Sequence, residues 1–156
     1  MTKQPGPPAP LLDDVSLSII EQLQQDGRRS YAAIGKVVGL SEAAVRQRVQ
    51  RLVEGGVVQI VAVTDPLQLG MFRQAMIGIK ARGPLTPVAD LLAEIPEIAY
   101  VVITAGSVDL LVEVVCRSDD HLLEILGRIR DIGAVVSTET FMYLQLRKQT
   151  YAWGAQ

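Results

Sequence analysis

Four side chains on one short stretch, Arg46, Gln47, Gln50 and Arg51, carry the groups that nucleic-acid bases can be read with. A glutamine amide pairs with adenine through two hydrogen bonds, and a guanidinium serves guanine or a phosphate oxygen. Cations gather around them. Between Arg28 and Arg51 lie Arg28, Arg29, Lys36, Arg46, Arg48 and Arg51 against the single carboxylate of Glu42, a local net charge of +5 in a protein whose total is −2. From Leu67 onward 8 basic residues stand against 10 acidic ones, so the positive charge is focused rather than spread. This is the chemistry of polyanion recognition, with double-stranded DNA as the expected partner if one helix presents the four side chains.

Little else in the chain competes with it. His121, the only histidine, follows Asp119 and Asp120 near a helix start and reads as a solvated surface residue. The lone Cys116 excludes an intrachain disulfide and a multi-cysteine zinc site, and is compatible with a reducing cytoplasm. There is no Ser/His/Asp set, metal-ligand spacing or glycine-rich phosphate loop. The expectation is therefore a non-enzyme without metal or cofactor. No apolar run approaches the ~20 residues of a membrane span. The opening MTKQPGPPAP lacks a signal peptide's apolar stretch, and four prolines and a glycine make residues 1–10 an expected disordered arm.

The elements that would position the basic side chains follow from apolar spacing. Leu17, Ile19, Ile20 and Leu23 give a first helix with Ser16 as its cap and Gly27 as a left-handed stop. Ser30 caps a short second helix with Ile34, Val37 and Val38 inside. Gly39-Leu40-Ser41 then turns the chain, with Leu40 plugging the core and Ser41 capping a third helix, Glu42 to about Glu54. Two helices joined through such a turn are a helix-turn-helix signature. At 100° per residue Val45, Val49 and Leu52 face the core. Ala43, Gln47, Gln50 and Arg51 face away, with Arg46 and Arg48 on the flanks. Arg48 suits a structural ion pair as well as a DNA contact. The β-branched run Val57–Val63 reads as a strand, broken by Thr64-Asp65-Pro66 and placed as a wing or a connector.

Residues 71–146 alternate as strand (Phe72–Lys80), helix (Pro87–Ile95, capped by Thr86), strand (Ile98–Ala105), strand (Asp109–Cys116), helix (from Ser118 to about Ile132) and strand (Ala134–Leu146). This βαββαβ order is the ferredoxin-like split βαβ unit. Ile77, Ile79, Val101, Ile103, Leu111 and Val115 compete for burial on both faces of its sheet, which points to a dimer packed sheet on sheet. The expected fold is α+β: a winged helix-turn-helix domain over 11–56, a connecting strand and linker over 57–70, the ferredoxin-like domain over 71–146, and a tail over 147–156.

The chain resembles the Lrp/AsnC (feast/famine) family of transcription regulators from Leu12 to Leu146. The likeness rests on Leu12-Asp13, Gly27-Arg28, Leu40-Ser41, Arg48-Val49, Arg51-Leu52, Gly56-Val57-Val58, Asp65-Pro66 and Gly70, and on Gly106-x-x-Asp109 between the second and third strands of the second half. The resemblance implies a cytoplasmic, sequence-specific DNA-binding regulator, a homodimer through the sheet domain, and further assembly such as an octamer. It also implies a small effector, typically an amino acid, bound between dimers near that hairpin.

The effector-side candidates are Tyr100, Thr104, Gly106, Asp109, Thr138 and Thr140. On the DNA side they are Arg28, Arg29, Lys36, Ser41, Ala43, Arg46, Gln47, Gln50 and Arg51. Ser16 stands where the family often has Asp, and Ala44 where it often has Thr. The apolar stretch Tyr100–Ala105 favours an effector with an apolar side chain, and Trp153 is expected to pack on a partner. The alternatives are a sensing or interaction module that no longer reads DNA, and an enzyme like the family's siroheme decarboxylases.

Overall fold

The computed structural model describes residues 12–150, so the expected arm over 1–10 and Trp153 lie outside the described residues. The chain divides into two compact units, one through Ala62 and one spanning Val63–Arg147.

In the first unit α1 (Asp14–Gln25), α2 (Tyr31–Val38) and α3 (Glu42–Glu54) enclose a core of Ile19, Leu23, Ile34, Val45 and Val49, with Val15, Tyr31, Val38 and Leu40 packed around it. Val45, Val49 and Leu52 face inward as their spacing requires. Three hydroxyl or carboxyl caps start the helices. Ser30 accepts from the Ala33 N–H and Ser41 from the Ala44 N–H, as expected, but α1 is capped by Asp13, whose carboxylate accepts from the Ser16 N–H at 2.8 Å. Ser16 is buried inside the first turn, so the helix starts earlier than its apolar stripe. Gly27 does not take the left-handed conformation; α1 ends at Asp26 with extended backbone. Val37 is exposed, because the inner stripe of α2 is Ile34, Gly35 and Val38.

The turn between α2 and α3 is tightly built. Gly39 stops α2 at φ +72° and donates its N–H to the Gly35 carbonyl, which also accepts from the Leu40 N–H at 2.9 Å. A Cβ on Gly35 would lie 2.4 Å from the Leu40 carbonyl oxygen, so only glycine lets α2 approach the turn this closely.

Val57–Val63 forms no strand, and among the described residues the first unit has no wing. Its first two residues are consumed in closing α3: the Val57 and Val58 N–H groups both donate to the Leu52 carbonyl. The rest of the run has no neighbouring strand to complete a ladder, and Ile60, Val61 and Val63 are exposed. β propensity selects for a pleated, half-buried surface and cannot supply the second strand.

The second unit is a four-stranded antiparallel sheet in the order β2-β3-β1-β4, with β1 (Arg73–Ala81), β2 (Ile98–Ile103), β3 (Leu110–Cys116) and β4 (Val135–Met142). Helices α4 (Leu85–Ala93) and α5 (Asp119–Arg130) contribute Val88, Leu92, Leu122, Ile125 and Ile129 to a core with Ile77, Ile79, Leu110, Val112 and Val114. This is the ferredoxin-like arrangement. Helix α4 begins at Leu85 behind Pro84, which makes no side-chain cap, and Thr86 lies inside the helix rather than before it. Helix α5 is capped by Ser118, has Asp119 and Asp120 in its first turn and Arg128 and Arg130 in its last, matching the helix dipole at both ends.

The register places Met76, Leu111, Glu113, Tyr100 and Phe141 on the sheet face opposite that core. Tyr100 and Phe141 are half exposed there.

Candidate nucleic-acid interface

Helix α3 presents its polar face as the spacing requires. Ala43, Arg46, Gln47, Gln50 and Arg51 are all exposed. Gln47 and Arg51 make no side-chain hydrogen bond or ion pair within the described residues, so their donors are available to an incoming ligand. The Gln50 amide donates to Glu54 at 2.8 Å, and Arg46 donates to Glu42 at 2.8 Å while lying 5.3 Å from the centre of the Tyr31 ring. Ser41 is spent as the helix cap, which places its hydroxyl at the N-terminal end of α3, where amides and dipole favour an anion.

The other cations separate into two kinds. Arg28 and Lys36 are exposed with unpaired side chains, as phosphate anchors must be. Arg29 is half-buried and turned back onto α1, where its guanidinium binds the Gln22 carbonyl oxygen and satisfies that buried amide. Among the described residues no buried side-chain polar atom lacks a partner.

Arg48 is structural. Its guanidinium donates to both oxygens of Asp13, at 2.7 and 2.9 Å, and to the Ser16 hydroxyl at 3.1 Å, tying the start of α1 to the middle of α3. Contacts with Ser16, and next with Arg48, hold the Asp13 carboxyl down at about 2. Asp13 thus caps one helix and fixes the angle of another. Sequence reasoning missed it by placing the cap at Ser16, and also missed Tyr31 and Gly35. A glycine inside a helical pattern, four residues before a turn glycine, was the available signal for Gly35.

In the second unit the expected effector residues do not converge on one pocket. Asp109 ends the β2–β3 hairpin: its carboxylate accepts from the Ala81 N–H at 2.9 Å, and its own N–H donates to the Ile79 carbonyl. Thr104 closes the same hairpin, its hydroxyl donating to the Val108 carbonyl at 2.7 Å. Gly106 at the tip is exposed, has no positive φ, and a Cβ there would touch nothing, so the turn itself does not demand glycine.

Thr138 pairs with Ile79 across β1 and accepts from Arg130 of α5 at 3.0 Å; Thr140 pairs with Ile77. Both threonines lie on the helix-covered face, whereas Tyr100 lies on the other. A cavity of about 680 Å³ opens at the far end of the sheet from the hairpin, lined by Phe72, Arg73, Gln74, Tyr143 and Leu144 among others, and it contains none of these candidates.

His121 is half-buried rather than solvated, its Nε2 3.3 Å from Glu97 Oε1, and Arg128 donates to the other oxygen of that carboxylate at 2.9 Å. Burial pushes the Glu97 carboxyl up, but hydrogen bonds from its own backbone, His121 and Arg128 win and hold it below the usual range. Among the described residues no group of three or more His, Cys, Asp or Glu side chains could hold a metal ion, and no helix is long and apolar enough to cross a membrane.

Comparison with known proteins agrees with this geometry. Residues 12–53 match the AsnC-type helix-turn-helix domain, and residues 72–156 match a C-terminal dimeric alpha+beta barrel domain of the AsnC type. The transcriptional regulator FL11 of Pyrococcus furiosus is 36% identical over 142 residues, covering 90% of this chain and 94% of its own. The regulatory protein AsnC of Escherichia coli is 30% identical over 86% of this chain and 91% of its own.

The solved structure of Escherichia coli AsnC superposes with a TM-score of 0.81 at 27% identity, covering 91% of this chain and 98% of that one. A transcriptional regulator of Neisseria meningitidis, solved as a complex with L-Met, shares the fold at TM-score 0.78 and 22% identity, over 89% of this chain and 94% of its own. With its cationic α3 on a helix-turn-helix and a ferredoxin-like second unit, the chain belongs to the AsnC-type (Lrp/AsnC) family and is a DNA-binding transcriptional regulator.

Proposed function

We propose that this regulator acts as a homodimer that sets two α3 helices into successive major grooves, about one helical turn or a multiple of it apart. The observation that carries the reading is the exposed, partner-free pair Gln47 and Arg51 on α3, flanked by the free cations Arg28 and Lys36. Gln47, Gln50, Arg46 and Arg51 read bases, while Arg28 and Lys36 hold phosphates and make affinity depend on salt. Arg29 contributes mainly to the shape of the α1–α2 corner. Dimerisation uses the sheet face that carries Leu111 and the exposed Tyr100 and Phe141, whose apolar groups favour burial against a second copy. Further assembly, such as an octamer, and action in the cytoplasm belong to the same reading, which requires no cofactor and no catalysis.

A small effector, in the first place an amino acid with an apolar side chain, modulates assembly or DNA binding from the β2–β3 hairpin. The open backbone at Gly106 and the free lone pairs of Asp109 support this, the carboxylate being suited to an α-ammonium group. The L-Met complex of the Neisseria relative is in keeping with that class of ligand. Thr138 and Thr140 stand on β4, separated from the hairpin strand β3 by β1.

Fluorescence anisotropy with DNA from the gene's own upstream region tests the main reading. Tight, salt-sensitive binding is expected, weakened by Gln47→Ala and by Arg51→Ala at unchanged melting temperature. Unchanged affinity in both variants refutes α3 as the reader.

A further inference from the structure

We propose that Glu42, Arg46 and Tyr31 form one base-reading unit, in which the Tyr31 ring and the Glu42 carboxylate position the Arg46 guanidinium for a G·C base pair. The inference rests on α3 being the reading helix and adds what one part of it reads.

Arg46 differs from the other exposed cations of the first unit in being held at two places. Its guanidinium donates to Glu42 one turn earlier at 2.8 Å, and it lies 5.3 Å from the centre of the Tyr31 ring. That ring is itself anchored, because Tyr31 packs against the core cluster of Ile19, Leu23, Ile34, Val45 and Val49. An arginine spread over an aromatic face and pinned by a carboxylate has given up much of its rotamer freedom before any ligand arrives. It is still exposed, and Glu42 takes only one of its five N–H donors, leaving the others for an acceptor.

Charge decides what that acceptor is. Arg28 and Lys36 each bring an unneutralised positive charge, which a phosphate rewards through counterion release. Arg46 and Glu42 together bring none, and Glu42 would be repelled by a phosphate. At a G·C pair the same two groups are complementary: guanine shows O6 and N7 to a guanidinium, and cytosine shows an N4 amino donor to a carboxylate. Tyr31 is thus a positioning residue, and the Arg46–Glu42 pair determines specificity.

The test is selection of binding sites from a randomised DNA pool by the full-length protein and its variants, with salt titrations on the selected site. The wild type is expected to enrich a G·C pair that Arg46→Ala and Tyr31→Leu no longer prefer, discrimination falling about tenfold to a hundredfold. Tyr31→Phe, which keeps the ring, retains the preference. Lys36→Ala lowers the slope of log affinity against log salt by about 0.9, whereas the double variant Arg46→Ala/Glu42→Ala, which removes the pair without changing net charge, leaves it nearly unchanged. Glu42→Gln unmasks the Arg46 charge, so the slope steepens while the preference weakens. If Tyr31→Leu does not fold, Glu42→Gln, on an exposed position, decides the matter by that paired change.

An unchanged site profile in Arg46→Ala, or in a folded Tyr31→Leu, overturns the proposal. So does a slope in Arg46→Ala/Glu42→Ala that falls as far as in Lys36→Ala, since Arg46 would then be a phosphate contact. A wild type that selects no DNA refutes the reading helix itself.

Discussion

Exchanging glycine for alanine inside a helix has opposite expected signs at two positions of this chain, and the difference can be worked from the structure. On intrinsic grounds alanine stabilises a helix interior by about 1 kcal/mol over glycine. At Gly127 of α5 a Cβ would meet nothing within 4 Å, so Gly127→Ala realises that gain. At Gly35 of α2 the same Cβ would sit 2.4 Å from the Leu40 carbonyl oxygen, where ordinary contact begins at 3.4 Å, and the obstacle is backbone.

Relief at Gly35 requires α2 and the turn to part by roughly 1 Å, which disturbs the Leu40 N–H to Gly35 carbonyl bond at 2.9 Å. Overpacking of this kind costs about 1–3 kcal/mol, and a weakened hydrogen bond about 1 more. The net expectation for Gly35→Ala is a loss of roughly 1–3 kcal/mol after the helix gain is subtracted. For a chain of this size about 1 kcal/mol moves the melting temperature by some 2–4 °C, so calorimetry should show a fall of roughly 2–12 °C for Gly35→Ala and a rise of a few degrees for Gly127→Ala. Gly35→Ala should also weaken DNA binding, because Ser41 and the start of α3 follow directly on Leu40. A Gly35→Ala protein as stable as the wild type, or shifts of the same sign in both variants, refutes the packing argument.

The Asp13 carboxyl is lowered to about 2 in the folded protein, so its contribution to stability is whole above its ordinary value near 3.8 and is lost as pH falls toward 2; acid melting curves of wild type and Asp13→Asn should converge across that window. The Tyr143 hydroxyl is pushed up to about 12 by burial and by Glu113, so its ionised form is disfavoured in the fold and its stabilisation is whole below pH 10 and disappears between 10 and 12. Ultraviolet titration should show a late tyrosinate step that Tyr143→Phe removes. Asp109→Ala strips the Ala81 N–H of its acceptor and should lower the melting temperature even without ligand, while Asp109→Asn keeps an acceptor and loses only the charge. In a thermal-shift screen of amino acids, a ligand-induced shift that survives Asp109→Asn would remove the charge from the effector reading.

Most of the fold was legible because it is written in local chemistry. The three-helix unit follows from Ser30, Ser41 and Gly39 as caps and stop and from the i, i+4 spacing of Val45 and Val49; the sheet unit follows from its alternation of elements. The errors arose where a local pattern is necessary but not sufficient. Val57–Val63 has the composition of a strand, but a strand exists only with a partner, and the run is spent partly on closing α3. Ser16 and Thr86 are good capping residues that come too late, three residues after Asp13 and two after Pro84, which sit at the true helix starts.

The α3 candidates Ala43, Arg46, Gln47, Gln50 and Arg51 could be projected from one helix and are exposed along it, whereas Arg29, before α2, turns back onto α1. The doubt over Arg48 was resolved by Asp13, a residue 35 positions away in sequence. The effector candidates lay on separate strands, where motif position says nothing about which face a side chain occupies, and the register put Tyr100 and the two threonines on opposite faces.

The strand order β2-β3-β1-β4 also has a temporal side. The three helices of the first unit are closed by contacts between elements near one another in sequence. In the sheet, β1 is a central strand flanked by β3 and β4, so the first strand to be made must wait for the last before both its edges are occupied. Pairings between such distant segments form slowly, and an unpaired apolar strand is exposed to other chains in the meantime. Folding rate and yield should therefore respond far more to changes in β4 than to changes in the helices that carry the DNA-reading surface, so that surface can vary in evolution with little effect on how the chain is made.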